Sequence, residues 1–473
     1  MGSKIRQGIW KLFDIEPHER LKLFFLSLLY FLIVGAYTIT RDLKSSIFLV
    51  VVGKEYAPWV RVTSMLMLIP AIFFYSKLVD KFRRYQLLIF YSVLFGLANL
   101  IFAYYIGHPT IGIANTDARF DRWFGWLFYF FVEGYSPFII SVFWSLANSV
   151  NNPNEAKKNY GYMVAGSKLG GIITAIFCWY ICSLSARGTY SFLDHVATHQ
   201  IILIVSTLFL AFVPIVAILF MKMVPGHMLH GYEAAYQLEK ESSESMAKPK
   251  VSMFAGLEMF FRYPYVFGIF GMVFFYETIA TVLSYLRLGI VQADASSVSD
   301  ISGGLFEMAL KAHVVGLVIS LIGTQALLAR LGTRICLLLV PFVSGVCCFY
   351  LMVETSAQVL KNIFVVFQAC NYSFFMPVRE SLYLPTIKEI KFKSKSWIDA
   401  FGSKIAKVSG SMFNVVAIKM GSALMLPIHS FFFAIIIGLW FILSFFLGRR
   451  FESAINNNEV IGLKRKKHEE GAV

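Results

Sequence analysis

Long apolar runs separated by charged breaks dominate the hydrophobic pattern of the chain. Each run is close to the roughly 20 residues that an α-helix needs to cross the hydrocarbon core of a bilayer. The pattern therefore predicts an all-α polytopic membrane protein with about twelve transmembrane helices. The predicted spans are residues 22–52, 58–78, 86–106, 124–150, 160–184, 200–221, 264–290, 311–329, 334–353, 357–378, 396–421 and 428–448.

The longest polar stretch of the chain, Lys222 to Arg262, separates the sixth predicted span from the seventh. Two sets of six helices joined in this way are typical of a six-plus-six, major-facilitator-like architecture, which is built from internal repeats. The pattern therefore predicts a division of the chain into regions. These are a cytoplasmic amphipathic N-terminus (1–21), an N-terminal six-helix bundle (22–221), a cytoplasmic central loop (222–263), a C-terminal six-helix bundle (264–448) and a basic cytoplasmic tail (449–473).

Lysine and arginine residues accumulate in every second predicted loop. They lie before the first span, after the second, in the central loop, after the tenth span and in the tail, with examples at Arg83, Lys248 and Lys391. Because cytoplasmic loops carry an excess of Lys and Arg, we predict that both termini are cytoplasmic. The net charge of +15 then reflects topology and contact with the lipid bilayer, and no nucleic-acid partner is expected.

Composition narrows the possible classes of protein further. Residues of the set AVILMFWYC make up 57% of the chain, and charged residues make up 15%, whereas soluble domains carry roughly 25% charge. A soluble enzyme and a disulfide scaffold are excluded on this basis. The six cysteines all lie in apolar runs, no Cys/His pattern predicts a metal site, and no Walker-type phosphate loop is present. We therefore expect neither a metal nor another cofactor.

Ionisable residues inside four of the apolar runs are the candidate functional residues. Lys44 lies in span 1, Glu133 in span 4, Glu277 in span 7 and Arg379 at the end of span 10. A charge at membrane depth costs several kcal/mol unless it faces a cavity or a partner, so each is a candidate site residue. In a six-plus-six repeat these four spans correspond in pairs and line the central cavity. The alternative is that the four residues form structural ion pairs or extend from span ends to the interface.

Three stretches of the sequence carry a resemblance to a known family. They are RDLKSSIFLV at 41–50, VEGYSPFIISVFWSLAN at 132–148 and PVRESLYLPTIKEIKFKSKSWIDAFGSKIAK at 377–407. In these stretches the chain resembles the nucleotide transporters of the ATP:ADP antiporter (TLC) type, found in plastids and in bacteria that live inside host cells. The third stretch is the most specific, and the six-plus-six layout extends the resemblance over nearly the whole chain.

The resemblance implies a set of substrate-binding residues. The family's charged residues important for transport, two basic and two Glu, correspond here to Lys44, Glu133, Glu277 and Arg379. Arg379 departs from the family, which usually has Lys at that place. Both side chains are cationic, but only the guanidinium of Arg can donate two parallel hydrogen bonds to one phosphate. Other residues are expected to assist, as further charges, as a polar group or as an aromatic ring that stacks on the base. They are Arg41, Asn148, Arg287, Tyr383, Lys395 and, as a second aromatic ring, Tyr37.

The function implied by the resemblance is exchange of ATP and ADP across the membrane by alternating access, with the nucleotide as partner and a monomer as the working unit. The membrane it implies is the inner membrane of a bacterium. In this interpretation the two Glu residues pair with the basic groups when the site is empty. Proton-coupled import of nucleotides, or of related anionic metabolites such as NAD, shares the fold and remains open. A receptor without transport has no need of charges in these spans. No nucleophile–base pair of a membrane-embedded enzyme is identifiable in the sequence, so we predict that the protein is not an enzyme.

Overall fold

A computed structural model describes residues 17–462, with gaps at 152, 225–261, 323, 355, 388–389, 391–393, 422–424 and 458. Most of the predicted N-terminal segment, most of the central loop and the end of the basic tail lie outside the described residues. Apolar runs become helices because a helix satisfies its own backbone hydrogen bonds, which lipid cannot do. The ends of some helices are closed by side chains. Asp194, for example, accepts a hydrogen bond of 2.6 Å from the backbone of Ala197.

The described residues form twelve long helices, as the hydrophobic pattern predicts. Ten of them contain a segment that is long and apolar enough to cross a membrane. The all-α polytopic fold predicted from the sequence is thereby confirmed. The helices are α1 (Pro17–Val51), α2 (Ala57–Lys81), α3 (Arg84–Ile106), α4 (Trp123–Val150), α5 (Pro153–Ala186), α6 (His195–Met223), α7 (Pro264–Ala293), α8 (Val298–Ile322), α9 (Thr324–Val353), α10 (Ala357–Ser381), α11 (Ser403–Lys419) and α12 (Met425–Asn456).

The helices group into two compact units. Unit 1 takes its described residues from 1–53, 67–247 and 295–313. Its core is a cluster of buried Leu, Ile, Val and aromatic side chains from α1, α3, α4 and α6, including Leu26, Phe143 and Phe220. Close approach of α5 to α1 depends on glycine, because a Cβ at Gly166 would lie 2.9 Å from the backbone oxygen of Ser27.

Unit 2 takes its described residues from 54–66, 248–294 and 314–473. Its core joins apolar side chains of α7, α9, α10 and α12 around Trp440, which is fully buried. Tyr276 stacks on Phe367 within this core, with ring centroids 4.7 Å apart. The bundle boundaries predicted from the sequence, 22–221 and 264–448, stay a prediction.

Helices α4 and α10 share a local irregularity. Each contains one π-helical turn, at Ser136–Ile140 in α4 and at Asn371–Phe375 in α10. A π turn inserts an extra residue into the helix and is frequent at functional sites. Glu133 precedes the first π turn and Arg379 follows the second, each within about one helical turn. The two candidate residues therefore lie beside equivalent distortions in spans 4 and 10.

Candidate functional site

Lys44 and Glu133 form a buried ion pair in unit 1. The Nζ atom of Lys44 donates a hydrogen bond to Oε1 of Glu133, which joins the C-terminal part of α1 to α4. Their side chains keep 10% and 16% of their surface exposed. Two ions removed from water need each other, since loss of one partner leaves a buried charge uncompensated. The structure thus brings together two residues that the sequence places 89 positions apart.

Aromatic rings surround this ion pair. Lys44 Nζ lies 4.5 Å from the ring centroid of Tyr129, a distance at which a cation is attracted by the face of an aromatic ring. Tyr37 stacks on Tyr135, with centroids 5.3 Å apart, and the Tyr135 hydroxyl donates to the backbone oxygen of Ile33 at 2.8 Å. The pair is therefore held in an aromatic environment.

Arg41 and Asn148, the remaining candidates in this unit, differ in their surroundings. Arg41 lies one turn before Lys44 on the same face of α1 and forms an ion pair with Asp42 at 2.8 Å. Its guanidinium carbon lies 5.9 Å from the Tyr37 ring centroid. Asn148 is exposed near the end of α4. Arg41 thus extends the charged face of α1, and a role for Asn148 stays a prediction.

Unit 2 holds a second charged group of residues around the end of α10. Arg379, which is 8% exposed, lies 3.2 Å from Asp399 and 4.0 Å from Glu380, measured between Nη2 and a carboxylate oxygen. Lys395 Nζ forms an ion pair with Glu380 at 2.6 Å and lies 5.8 Å from the ring centroid of Tyr383. A cation in the last turn of a helix also interacts favourably with the helix dipole. The structure thus places three candidates from one sequence stretch next to one another: Arg379, Lys395 and Tyr383.

Glu277 and Arg287 occupy two further places along α7. Glu277 pairs with Lys407 of α11, with 3.8 Å between Oε2 and Nζ, and its side chain is 23% exposed. Glu277 is also close enough to Arg379 for an electrostatic interaction. Arg287 is 5% exposed, and its guanidinium carbon lies 4.1 Å from the centroid of Phe364. Glu277 therefore belongs with the charged group of unit 2.

The structure adds partners that the sequence reasoning did not select. Asp399 and Lys407 both lie in the stretch 377–407 quoted for the resemblance, and an acidic residue within a basic stretch was the available signal for Asp399. Tyr129 precedes Glu133 by four residues and therefore shares its face of α4. No group of three or more His, Cys, Asp or Glu side chains suited to a metal ion occurs in the described part of the chain.

The chemistry available to these groups is the binding of an anion. Lys44, Arg379, Lys395 and Lys407 are each paired with a carboxylate in the structure. A phosphate group offers the same oxygen acceptors with more charge, so it competes with a carboxylate for these cations. Until a phosphate enters, the carboxylate keeps the cation ordered. The entering phosphate then takes the place of the carboxylate.

Comparison with known proteins agrees with this chemistry. Residues 2–451 match the model of a family described as TLC ATP/ADP transporter. Among similar proteins, ADP,ATP carrier protein 1 of Rickettsia prowazekii is 22% identical, with 97% of this chain and 98% of that protein covered. ADP,ATP carrier protein 1 of Chlamydia muridarum is 23% identical over 87% of this chain and 84% of that protein. The chloroplast ADP,ATP carrier protein 2 of Arabidopsis thaliana is 22% identical over 85% and 70%.

Solved structures resemble the fold as a whole. A D-xylose-proton symporter superposes with a TM-score of 0.61 at 15% identity, covering 90% of this chain and 96% of that one. The nucleoside transporter NupG gives a TM-score of 0.51 at 13% identity, covering 92% and 100%. The major-facilitator-like architecture predicted from the sequence is confirmed, as is the prediction of a multi-pass membrane transporter and not an enzyme. With its family model matched over nearly its whole length, the chain belongs to the TLC ATP/ADP transporter family.

Proposed function

We propose that the protein exchanges ATP and ADP across the membrane by alternating access. The observation that carries the proposal is the ion pair of Lys44 and Glu133, a cation buried on α1 and held by a carboxylate from α4. A nucleotide phosphate takes the place of Glu133 at Lys44, and Glu133 recovers the lysine when the nucleotide leaves. The relatives named ADP,ATP carriers support this choice of substrate.

Obligatory exchange follows from the same ion pairs. The cations of both units are neutralised by carboxylates of their own unit. We infer that the empty carrier changes its facing slowly, because the ion pairs that hold the empty site must rearrange first. A bound nucleotide replaces these pairs and allows the change. Uptake of one nucleotide therefore requires release of another.

The coupling of nucleotide uptake to the release of a second nucleotide is tested in liposomes that contain the purified protein. We expect uptake of labelled ATP to be fast into liposomes preloaded with ADP, slow into empty liposomes, and unaffected by a protonophore. Protein-free liposomes are the control for leakage. Equal uptake with and without internal ADP would contradict exchange.

A second candidate, proton-coupled import, is favoured by one observation. Glu277 keeps 23% of its side chain exposed and lies 3.8 Å from Lys407, so this carboxylate is in partial contact with solvent. In that case uptake into empty liposomes collapses when the protonophore is added, and Glu277→Gln removes the protonophore effect. Uptake of labelled NAD in the same liposomes tests the related anionic substrates.

Orientation in the membrane is a further part of the proposal: both termini face the cytoplasm of a bacterium. The working unit is proposed to be a single chain. Tags at Met1, in the central loop at Ser243 and at Val473 should be reached only from the cytoplasmic side, since basic loops stay there. A tag at Gly188, in the loop between α5 and α6, should be reached only from outside. Labelling of intact cells and of inverted vesicles measures both, and external labelling at Ser243 would contradict the orientation.

A further inference from the structure

The segment that follows α12 is held against the end of that helix. The backbone N–H of Glu459 donates to the backbone oxygen of Ala454 at 2.8 Å, which closes a turn just after Asn456. The guanidinium of Arg450 donates two hydrogen bonds to the Glu459 carboxylate, of 2.8 and 2.6 Å. A bidentate pair of this kind fixes the orientation of both groups. We call residues 459–462, which begin at this pair, the C-terminal strap.

The C-terminal strap pairs with the segment that follows α10. Ile461 and Thr386 form a parallel β-bridge. The backbone N–H of Ile461 donates to the oxygen of Pro385 at 2.7 Å, and the backbone oxygen of Ile461 accepts from the N–H of Ile387 at 3.1 Å. The side chain of Ile461 is 6% exposed and belongs to the apolar core of unit 2. The strap is therefore anchored by its backbone and by a buried side chain.

The last residue of the strap is a glycine for a steric reason. Gly462 has a φ angle of +103°, which side chains with a Cβ rarely adopt. A Cβ at this position would also lie 2.8 Å from the side chain of Ile387. The hydroxyl of Tyr263 donates to the backbone oxygen of Gly462 at 3.3 Å. The strap thus lies close to the segment after α10 along its whole length.

The segment held by the strap is continuous with the end of α10. Arg379 lies in the last turn of this helix, and its backbone oxygen accepts from the N–H of Leu382 at 3.1 Å. The hydroxyl of Tyr265 donates to the oxygen of Leu382 at 2.8 Å. The hydroxyl of Thr386 donates to the backbone oxygen of Tyr383 at 2.7 Å. A short run of turns therefore joins Arg379 at one end to the β-bridge with the strap at the other.

The end of a helix needs such support to keep a side chain in place. The last four backbone oxygens of a helix have no partner inside it, and helix ends fray. A cation in the last turn moves with that turn, and a hydrogen bond weakens steeply when its angle departs from linearity. The bridge between Ile461 and Thr386 fixes the chain shortly beyond Arg379 to the core of unit 2.

We propose that the C-terminal strap positions the nucleotide site, with Ile461 as the positioning residue. The strap holds the end of α10, so that the guanidinium of Arg379 stays where a phosphate meets it. The inference rests on the proposed function, since it concerns the placement of one of the proposed binding residues. Its consequence is that a residue beyond the last long helix controls nucleotide exchange without contact with the nucleotide.

The test compares Ile461→Asp with wild type in the ADP-loaded liposomes described above, at matched amounts of folded protein. A carboxylate at this buried apolar position detaches the strap. We expect exchange to fall about 10-fold or more, within the 150-fold limit for one charge-assisted contact, because the strap acts through Arg379. Ile461→Val keeps the apolar contact and should retain exchange. Val460→Asp is the matched control, because the neighbouring Val460 is 42% exposed, and it should behave as wild type.

The double variant of Ile461→Asp with Arg379→Ala separates positioning from general damage. Residues that act through one another are not additive, so detaching the strap in Arg379→Ala should lower exchange by less than about threefold further. Losses that multiply in the double variant, or wild-type exchange by Ile461→Asp, would overturn the inference. Ile461→Ala, which shortens the side chain without adding a charge, takes the place of Ile461→Asp if that variant does not fold, and the same outcomes decide.

Amide hydrogen exchange tests the strap with neither nucleotide nor transport. Amides held by local contacts lose protection when those contacts open. The N–H of Ile387 and those of the last turn of α10 should lose protection in Ile461→Asp and keep it in Val460→Asp. Unchanged protection of the last turn overturns the inference. If wild type shows no exchange of ATP for ADP, the proposed function fails, and the difference in protection between the two variants still decides whether the strap holds α10.

Discussion

Lys44→Glu is expected to abolish nucleotide exchange, the largest effect of any single substitution in unit 1. The variant sets a second carboxylate against Glu133 in a buried position and removes the cation proposed to bind phosphate. Repulsion of an entering nucleotide adds to the lost attraction. Lys44→Ala removes the attraction alone, worth about 1.5–3 kcal/mol for a charge-assisted contact, and should lower the rate about 10- to 150-fold. Initial rates of ATP uptake into ADP-loaded liposomes measure both.

The charge swap Lys44→Glu with Glu133→Lys separates a structural from a substrate-binding role. Breaking a buried ion pair destabilises a protein by about 3–5 kcal/mol, so rates are compared at matched amounts of folded protein. The swap restores the ion pair between α1 and α4, and we expect it to restore thermal stability but not exchange. Lys311→Glu, which breaks an exposed pair with Glu307, should behave as wild type. Full exchange by the swapped variant would show that Lys44 serves only to hold the helices.

Most of the helical architecture could be predicted from the sequence. A long apolar segment in lipid must satisfy its own backbone hydrogen bonds, and it does so as a helix. The π turn at Ser136–Ile140 was not predicted. Pro137 and Gly134 indicate some irregularity near Glu133, but an extra residue in the turn depends on the packing of neighbouring helices. The residues of α2 and of α8 are each divided between the two compact units. This division was not predicted either, because it depends on contacts between helices far apart in sequence.

The candidate site was predictable as a set of residues and not as a set of pairs. A charge inside an apolar run is visible in sequence, so Lys44 and Glu133 could both be selected. The choice of Lys407 for Glu277, and of Asp399 for Arg379, depends on how α11 and the segment before it are rotated against α7 and α10. Periodicity predicts neighbours within one helix only.

Arg379→Ala is expected to lower nucleotide exchange about 10- to 150-fold, the range for one charge-assisted contact. The guanidinium is buried at the end of α10, lies 3.2 Å from Asp399 and is the only arginine of the third resembling stretch. Its loss leaves Asp399 and Glu380 facing the site, which adds repulsion of phosphate to the missing contact. Arg379→Lys keeps the charge and matches the residue that the family usually has at this place, so it should retain most of the exchange.

The pattern of rates across these variants identifies the role of Arg379. Asp399 is 39% exposed, so water screens the pair and the stability of Arg379→Ala should fall only modestly. Arg334→Ala is the matched control, because Arg334 is an exposed arginine of the same unit that pairs with Glu452 at 2.8 Å. A structural ion pair predicts that Asp399→Asn and Arg379→Ala are equally harmful. A phosphate contact predicts that Asp399→Asn keeps exchange, since it frees the guanidinium for phosphate, while Arg379→Ala loses it. Equal losses in the two variants, at matched protein levels in the liposomes, would remove Arg379 from the binding site.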